Sequence, residues 1–368
     1  MSLQEKSLYV AMELSNKIWK LAFGDGSSTR ERSMPARDEA LLIREVARAK
    51  EKLHLSSEAP VVFCYEAGRD GFWIARMLIK HGHECDIMDP ASIEVPRQAR
   101  KRKTDRLDAA KLLDLLIRSR LWGQRKAYSV VCVPTEDQEA AMRLHRERQR
   151  LVKEQTGHLA RIKSLCVLHG VQIKNPAKLD VDVLRDWEGK PLCEAWVGEL
   201  RRECQRLVMV QEQIRTLETQ QGRAIKTAST PAEEKAKKLY KLKAVGAQGS
   251  WILSHECFGW RHFQNRRQVG SFAGLTGTPY DSGDTLREQG ISKAGSGRVR
   301  ATMIELAWSW IRYQPKSALT HWFIDRYVRE GSKRSKRKGI VAVARKLLIA
   351  LWKYVEQDVV PEGAILKA

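Results

Sequence analysis

The sequence predicts an α/β amino-terminal domain followed by two mainly helical regions. Three observations lead there. Short runs rich in β-branched and aromatic residues open the chain. A continuous apolar run, PVVFCY, lies between helical patterns. From residue 135 the chain turns helical and charged.

Residues 7–14 (SLYVAMEL) read as a strand and residues 17–23 (KIWKLAF) as a second, alternating one. Gly24-Asp25-Gly26 follows as a turn, and residues 29–34 complete an antiparallel meander. Residues 38–53 have helical spacing, with Leu41, Leu42, Ile43 and Val46 on one side. The apolar run at 60–65 suits a parallel strand covered on both faces. A short helix at 71–81 and a short buried strand at 85–88 come next. A basic loop follows, and Thr104 is placed to cap a helix from Asp105 to about Arg118. Three strands and then alternating helix and strand is the order of the ribonuclease-H-like fold.

Residues 135–170 are helical and charged, and a second long helix covers about 194–222. There Leu200, Leu207 and Ile214 recur every seven residues, with Val210 and Leu217 between. That pattern fits a coiled-coil seam between chains or a helical hairpin within one. Residues 227–238 read as a polar linker. Residues 242–253 (LKAVGAQGSWIL) set two glycines between apolar helical segments, as in a degenerate helix-hairpin-helix whose N–H groups face a phosphate. A Gly-, Ser- and Lys-rich stretch at 270–300 precedes an apolar helix at 301–313. Residues 331–339 (GSKRSKRKG) read as a basic loop, and 340–355 as an amphipathic helix. The expected divisions are a metal-binding domain at 1–130, a helical or coiled-coil domain at 131–226 and a carboxy-terminal domain with a serine motif at 240–368.

Among 368 residues, 66 Lys and Arg stand against 44 Asp and Glu, a formal net charge of +22. A surplus of this size favours a polyanionic partner, because Lys and Arg neutralise phosphates and release counterions. The seven cysteines are odd in number and form no C-x-x-C, which argues against a disulfide framework or a zinc ribbon and for reduced thiols in the cytoplasm. The first residues are too polar for a signal peptide, and no apolar stretch approaches the ~20 residues that span a bilayer. Neither a Walker loop nor a G-x-G-x-x-G occurs, so nothing points to ATP or a dinucleotide.

The sharpest constellation is acidic. Glu13 lies in the first strand, Glu66 ends PVVFCY, and Asp105 and Asp108 sit three apart at a helix start, facing one way. In a ribonuclease-H-like sheet these four acids would meet in one cleft. Their repulsion would be relieved by two hard divalent ions, Mg2+ or Mn2+, about 3.5–4 Å apart, clamping a phosphate for in-line attack. Each acid also has a plain alternative: a helix-dipole partner for Asp105, an ion pair for Asp108, a turn cap for Glu66. Glu13 is hardest to dismiss, because an unpaired acid in an apolar strand is costly. Arg97, Arg100, Lys101, Arg102 and Lys103 precede the acidic pair and could track a nucleic-acid backbone. Trp73 and Trp122 could stack bases, although core packing suits both.

A second constellation is residues 278–300 (TPYDSGDTLREQGISKAGSGRVR). Ser282 lies in an Asp-Ser-Gly turn, unhindered as a nucleophile should be, and Ser292 lies in Ile-Ser-Lys. Lys293, Arg298 and Arg300 could hold a phosphate beside them. Taken on chemistry alone, an ordinary turn serine remains the simpler reading.

With these residues in hand, the chain resembles the RuvC-like, DEDD-type insertion-sequence transposases, the insertion-sequence family one-ten. The resemblance runs through VAMELSNK (10–17), YEAGRDGFW (65–73) and KTDRLDAAKL (103–112), then SFAGLTGTPYDSG (271–283), ISKAGSGRVR (291–300) and GIVAVARKLL (339–348). It implies a RuvC-like domain, a coiled coil and a carboxy-terminal transposase domain. It implies DNA strand exchange between donor and target through a serine that joins covalently to a DNA phosphate. It further implies a structured guide RNA, a homo-oligomer (dimer or tetramer) with a composite site, and a nucleoid-associated protein of the bacterial cytoplasm. Glu66, Asp105 and Asp108 match the family's metal ligands, Ser282 matches its Ser-Gly motif, and Ser292 is the reserve nucleophile. Glu13 stands where the family usually has Asp, and Gly246–Gly249 lacks the usual Pro-Gly-x-Gly form. Two rival readings remain: a RuvC-like nuclease without serine chemistry, and a non-catalytic nucleic-acid-binding derivative.

Overall fold

The computed structural model describes residues 6–93, 105–124, 127–282, 285–329 and 331–367. The chain divides into two compact units, residues 1–134 and 135–368.

The first unit is built on a five-stranded sheet. β1 (Leu8–Glu13), β2 (Ile18–Gly24) and β3 (Thr29–Pro35) form an antiparallel meander. α1 (Glu39–Lys52) leads to β4 (Val61–Glu66), which pairs parallel to β1. α2 (Trp73–Lys80) then leads to β5 (Glu84–Met88), parallel to β4, and the strand order is β3-β2-β1-β4-β5. Alternation along the strands makes two apolar faces. Leu8, Val10, Met12, Phe63 and Tyr65 pack with Leu42 and Val46 of α1 and with Ile74 and Leu78 of α2. Tyr9, Ala11, Val62 and Cys64 face the other way, beneath Ala109, Leu112, Leu113 and Leu116 of α3 (Asp105–Arg120).

The direction of α3 follows from its contacts. Arg120, at its end, donates to Asp86 Oδ2 at 2.9 Å and to Glu84 Oε2 at 3.1 Å, where β5 begins. Tyr128 Oη donates to the same Asp86 carboxylate at 2.6 Å. Because β5, β4 and β1 are parallel, α3 runs antiparallel to them. Its first turn therefore lies at the strands' carboxy-terminal edge.

In the second unit α4 (Glu136–Val167) and α5 (Glu194–Thr227) form an antiparallel hairpin, with His158 against Glu203 and Arg148 against Glu218. Leu200, Leu207, Val210, Ile214 and Leu217 are buried in it beside Leu151, Ile162 and Cys166 of α4. The heptad seam thus packs within one chain, the intrachain alternative.

Three local expectations are corrected. Much of the expected linker at 227–238 is helical, as α6 (Pro231–Tyr240). Thr230 and Glu233 make a reciprocal capping box with Pro231 in the first turn, and Ala236 and Leu239 are buried. Within 242–253, Gly246 precedes α7 (Ala247–Leu253), but Gly249 lies inside that helix. A Cβ on Gly249 would sit 3.0 Å from Leu306 Cδ2, so this glycine serves packing and is not part of a phosphate turn. α8 (Arg266–Phe272), the hairpin of β6 (Gly277–Ser282) and β7 (Thr285–Ile291), α9 (Gly297–Tyr313) and α10 (Ala318–Phe323) follow. The basic segment expected as a loop opens α11 (Lys333–Gln357), with Ser332 as N-cap. Gly339 lets that helix approach Tyr327, whose Cγ would lie 2.5 Å from an added Cβ.

Among the described residues the cysteines are free thiols, with Cys64, Cys166 and Cys257 buried.

Candidate functional site

The acidic residues are distributed by strand parity. Glu13 shares a face with Tyr9 and Ala11, and Glu66 with Val62 and Cys64. Both strands end here, side by side, since Met12 pairs with Tyr65. Two carboxylates thus stand at adjacent strand ends on the face that α3 covers. Asp108 is half-buried, one residue before Ala109, which is 2% exposed against the sheet. Asp105 opens α3. The amino-terminal end of a 16-residue helix carries partial positive charge, which favours anionic groups. The described side chains of the basic stretch Arg97, Arg100, Lys101, Arg102 and Lys103 are none, since those residues lie outside the described ones, as does the side chain of Asp105.

Lys20 pairs with Glu13 across β2, and a shallow cavity of about 300 Å³ is lined there by Lys20, Leu21, Glu31, Arg32, Ser33 and Ala109. Among the described residues, no group of three or more His, Cys, Asp and Glu side chains is placed to hold a metal ion. Glu13 and Glu66 are hard oxygen donors at adjacent strand ends, the donor class that Mg2+ or Mn2+ takes. Trp73 packs on Trp19 with ring centroids 5.9 Å apart, whereas Trp122 is 56% exposed.

The serine motif lies in the second unit. Ser282 ends β6 and pairs with Thr285, so it stands at the hairpin tip, with its backbone described and its side chain outside the description. Ser292 stands at the hairpin base. Its N–H donates to Thr276 O at 2.8 Å, and its hydroxyl lies 3.3 Å from Thr276 Oγ1. Lys293 is exposed in a left-handed conformation, φ 57°. Arg298 and Arg300 both bond protein groups. Arg298 Nη1 donates to Glu256 Oε1 at 3.1 Å and Nε to Gln149 Oε1 at 2.6 Å. Arg300 Nη1 donates to the carbonyls of Ala273 at 3.1 Å and Lys293 at 3.0 Å.

Glu256 is the centre of a buried cluster. It lies in a π-helical turn, Ser254–Phe258, that continues α7. Arg146 Nε and Nη2 grip its two oxygens at 2.8 and 2.9 Å, and His145 Nε2 lies 2.8 Å from Oε1. Burial would raise the Glu256 carboxyl, but the hydrogen bonds from His145 and Arg146 outweigh it and hold the group far below the usual range. Burial lowers His145 in spite of Glu256, and it lowers the neighbouring His255 to about 4.

Comparison with known proteins gives the family. The sequence is 37% identical over 377 aligned positions to "Putative transposase y4rJ" of Sinorhizobium fredii, covering 98% of this chain and 95% of that one. The chain belongs to the IS116/IS110/IS902 transposase family. The family profile, "Transposase IS116/IS110/IS902 family", matches residues 236–321. The chain is also 23% identical to "Transposase for insertion sequence element IS1328" of Yersinia enterocolitica, over 87% of this chain and 91% of that one. It is thus a transposase of an insertion sequence, a DNA-processing enzyme whose partner is DNA. Among the described residues no helix is long and apolar enough to cross a membrane.

The profile-matched segment of the transposase runs from within α6 to α10 and contains Ser282, Ser292, Glu256, Arg298 and Arg300. Sequence reasoning missed the Glu256 cluster. The signal was present: an acid inside the apolar run WILSHECFGW needs a partner for the same reason that Glu13 does. Its partners, His145 and Arg146, stand more than 100 residues earlier on another helix, so no spacing rule connects them.

Proposed function

We propose that this transposase exchanges DNA strands through Ser282, assisted by divalent ions held by Glu13, Glu66, Asp105 and Asp108. The first unit would be a ribonuclease-H-like, RuvC-like domain. The observation that carries the proposal is the placement of Glu13 and Glu66 at adjacent ends of parallel strands, under the first turn of α3. The strand order β3-β2-β1-β4-β5 supports the same domain assignment.

In this reading the Ser282 hydroxyl attacks a DNA phosphorus. A serine–phosphate ester forms as one phosphorus–deoxyribose oxygen bond breaks. The serine proton goes to a base, and the departing oxygen takes one up. A hydroxyl of the other DNA segment then attacks the ester, restoring both the serine and a phosphodiester. Bond types are conserved, so no energy-supplying nucleotide is needed. Divalent ions at the carboxylates would supply Lewis-acid stabilisation of charge on the phosphoryl oxygens. The surplus of positive charge supports engagement of nucleic acid along the chain. A structured guide RNA and a second copy of the chain belong to this reading through the family resemblance.

The test is a covalent protein–DNA adduct in cells that carry the gene, its native flanks and a target plasmid. The expected result is an adduct in wild type that is lost in Ser282→Ala and Asp105→Ala and retained in Ser292→Ala. Survival in Ser282→Ala with loss in Ser292→Ala would move the nucleophile to Ser292. Metal-dependent cleavage without adduct in any variant would replace strand exchange by hydrolysis.

A further inference from the structure

Two arginines of one helical turn tie the serine hairpin to the body of the second unit. Arg300 bonds the carbonyl of Ala273, before β6, and that of Lys293, after β7, through one nitrogen. It thereby bridges both legs of the hairpin at the base. The backbone closes the same ring: Lys293 N–H donates to Gly274 O at 3.2 Å and Ser296 N–H to Phe272 O at 2.7 Å. No side chain fits inside it. A Cβ on Gly274 (φ 62°) would lie 2.2 Å from Ala294 O and 2.6 Å from Arg300 Nη1, and one on Gly295 (φ 100°) 2.4 Å from Phe272 O.

Arg298, two residues earlier on α9, reaches the opposite way into the fold. It joins Glu256 and Gln149, and Glu256 is fixed in turn by His145 and Arg146 of α4. A continuous chain of contacts thus runs from the hairpin base through α9 to a long helix. Charge-assisted bonds to a buried carboxylate and a planar guanidinium bridging two carbonyls are geometrically specific restraints.

We propose that Arg298 and Arg300 are positioning residues, which hold the Ser282 hairpin on a frame anchored at Glu256 and act on strand exchange only through Ser282. The proposal deepens the reading above and rests on Ser282 being the nucleophile. It replaces the expectation that these arginines grip phosphate.

The test uses the full-length chain with Arg300→Lys, Arg298→Lys and Glu256→Gln beside Ser282→Ala. Three quantities are measured: hydrogen exchange of amides 277–291, affinity for the element's terminal DNA at several salt concentrations, and adduct rate at saturating DNA. Lys keeps the charge and loses the planar fork, so electrostatic attraction to DNA is preserved. The expected result is faster hairpin exchange, unchanged affinity and salt slope, and an adduct rate lower by up to about 10²-fold, the scale of an ångström-sized misplacement of a reacting group. Wild-type hairpin exchange in all three variants overturns the proposal, whatever the affinity. Faster exchange with a wild-type adduct rate also overturns it. If wild type forms no Ser282-dependent adduct, the nucleophile assignment fails by itself, while exchange and affinity still decide whether these arginines hold the hairpin or the DNA.

Discussion

At the scale of single residues, burial of charge decides most of what is testable. Glu256 is 6% exposed and held by two arginines and a histidine. Glu256→Ala would strand the two guanidinium groups and leave the His145 ring without its partner, and breaking a buried pair in this way costs about 3–5 kcal/mol, to be read from urea unfolding of the intact protein. pH gives a second handle. The folded His255 value, about 4, lies below its ordinary 6.5, so the unfolded chain binds the proton first. Stability is full above pH 6.5 and falls as pH drops toward 4, by roughly 3 kcal/mol at about 1.4 kcal/mol per unit. Glu256 adds a loss that begins below its ordinary 4.5. His255→Phe keeps a ring to stack on Trp251, whose centroid is 3.8 Å away, and should flatten the stability profile between pH 6.5 and 4. An unaltered profile would show that another group titrates. Residues of this kind were half legible. The cost of an acid in an apolar segment is visible in sequence for Glu13 and Glu256 alike, but its partner is not.

At the scale of elements, ends matter more than middles. The carboxy-terminal end of α3 is fastened by Arg120 to Asp86, which is 5% exposed and also accepts from Tyr128. Asp86→Ala should destabilise the protein by about 3 kcal/mol, since it leaves a guanidinium and a phenol without their shared acceptor. It should also lower any metal-dependent activity, because the same helix carries Asp105 and Asp108 at its other end. An intact melting profile in Asp86→Ala would show the fastening to be idle. At α6, Thr230→Ala removes the capping-box acceptor and should cost about 1 kcal/mol, measured by thermal unfolding. The strands of the sheet were readable because β1 and β4 are short, nearly continuous apolar runs with β-branched and aromatic residues, and β2 begins with alternation. The starts of α6 and α11 carry local signals that their surroundings mask. Thr-Pro-x-Glu and a Ser N-cap were outweighed by runs of charge that look like linkers.

At the scale of the whole molecule, net charge sets behaviour toward DNA. Neutralising 6–10 phosphates would make affinity fall by about 10³- to 10⁵-fold between 50 and 200 mM salt, and a filter-binding series would show it. A flat salt dependence would mean that the surplus of 22 positive charges serves something other than the DNA backbone. The sequence by itself determined the class of partner, the α/β start with its antiparallel-then-parallel strands, and the candidate acids and serines. Composition, local periodicity and short motifs are properties of neighbouring residues. Tertiary structure decided that the heptad seam closes within one chain. It decided that α3 runs antiparallel to β1, so that its first turn lies at the edge where the strands of Glu13 and Glu66 end. It also decided which remote groups Arg298 and Arg300 bond. The physical reason is common to all three: each depends on which groups remote in sequence meet once apolar faces are buried, and no local pattern encodes that meeting.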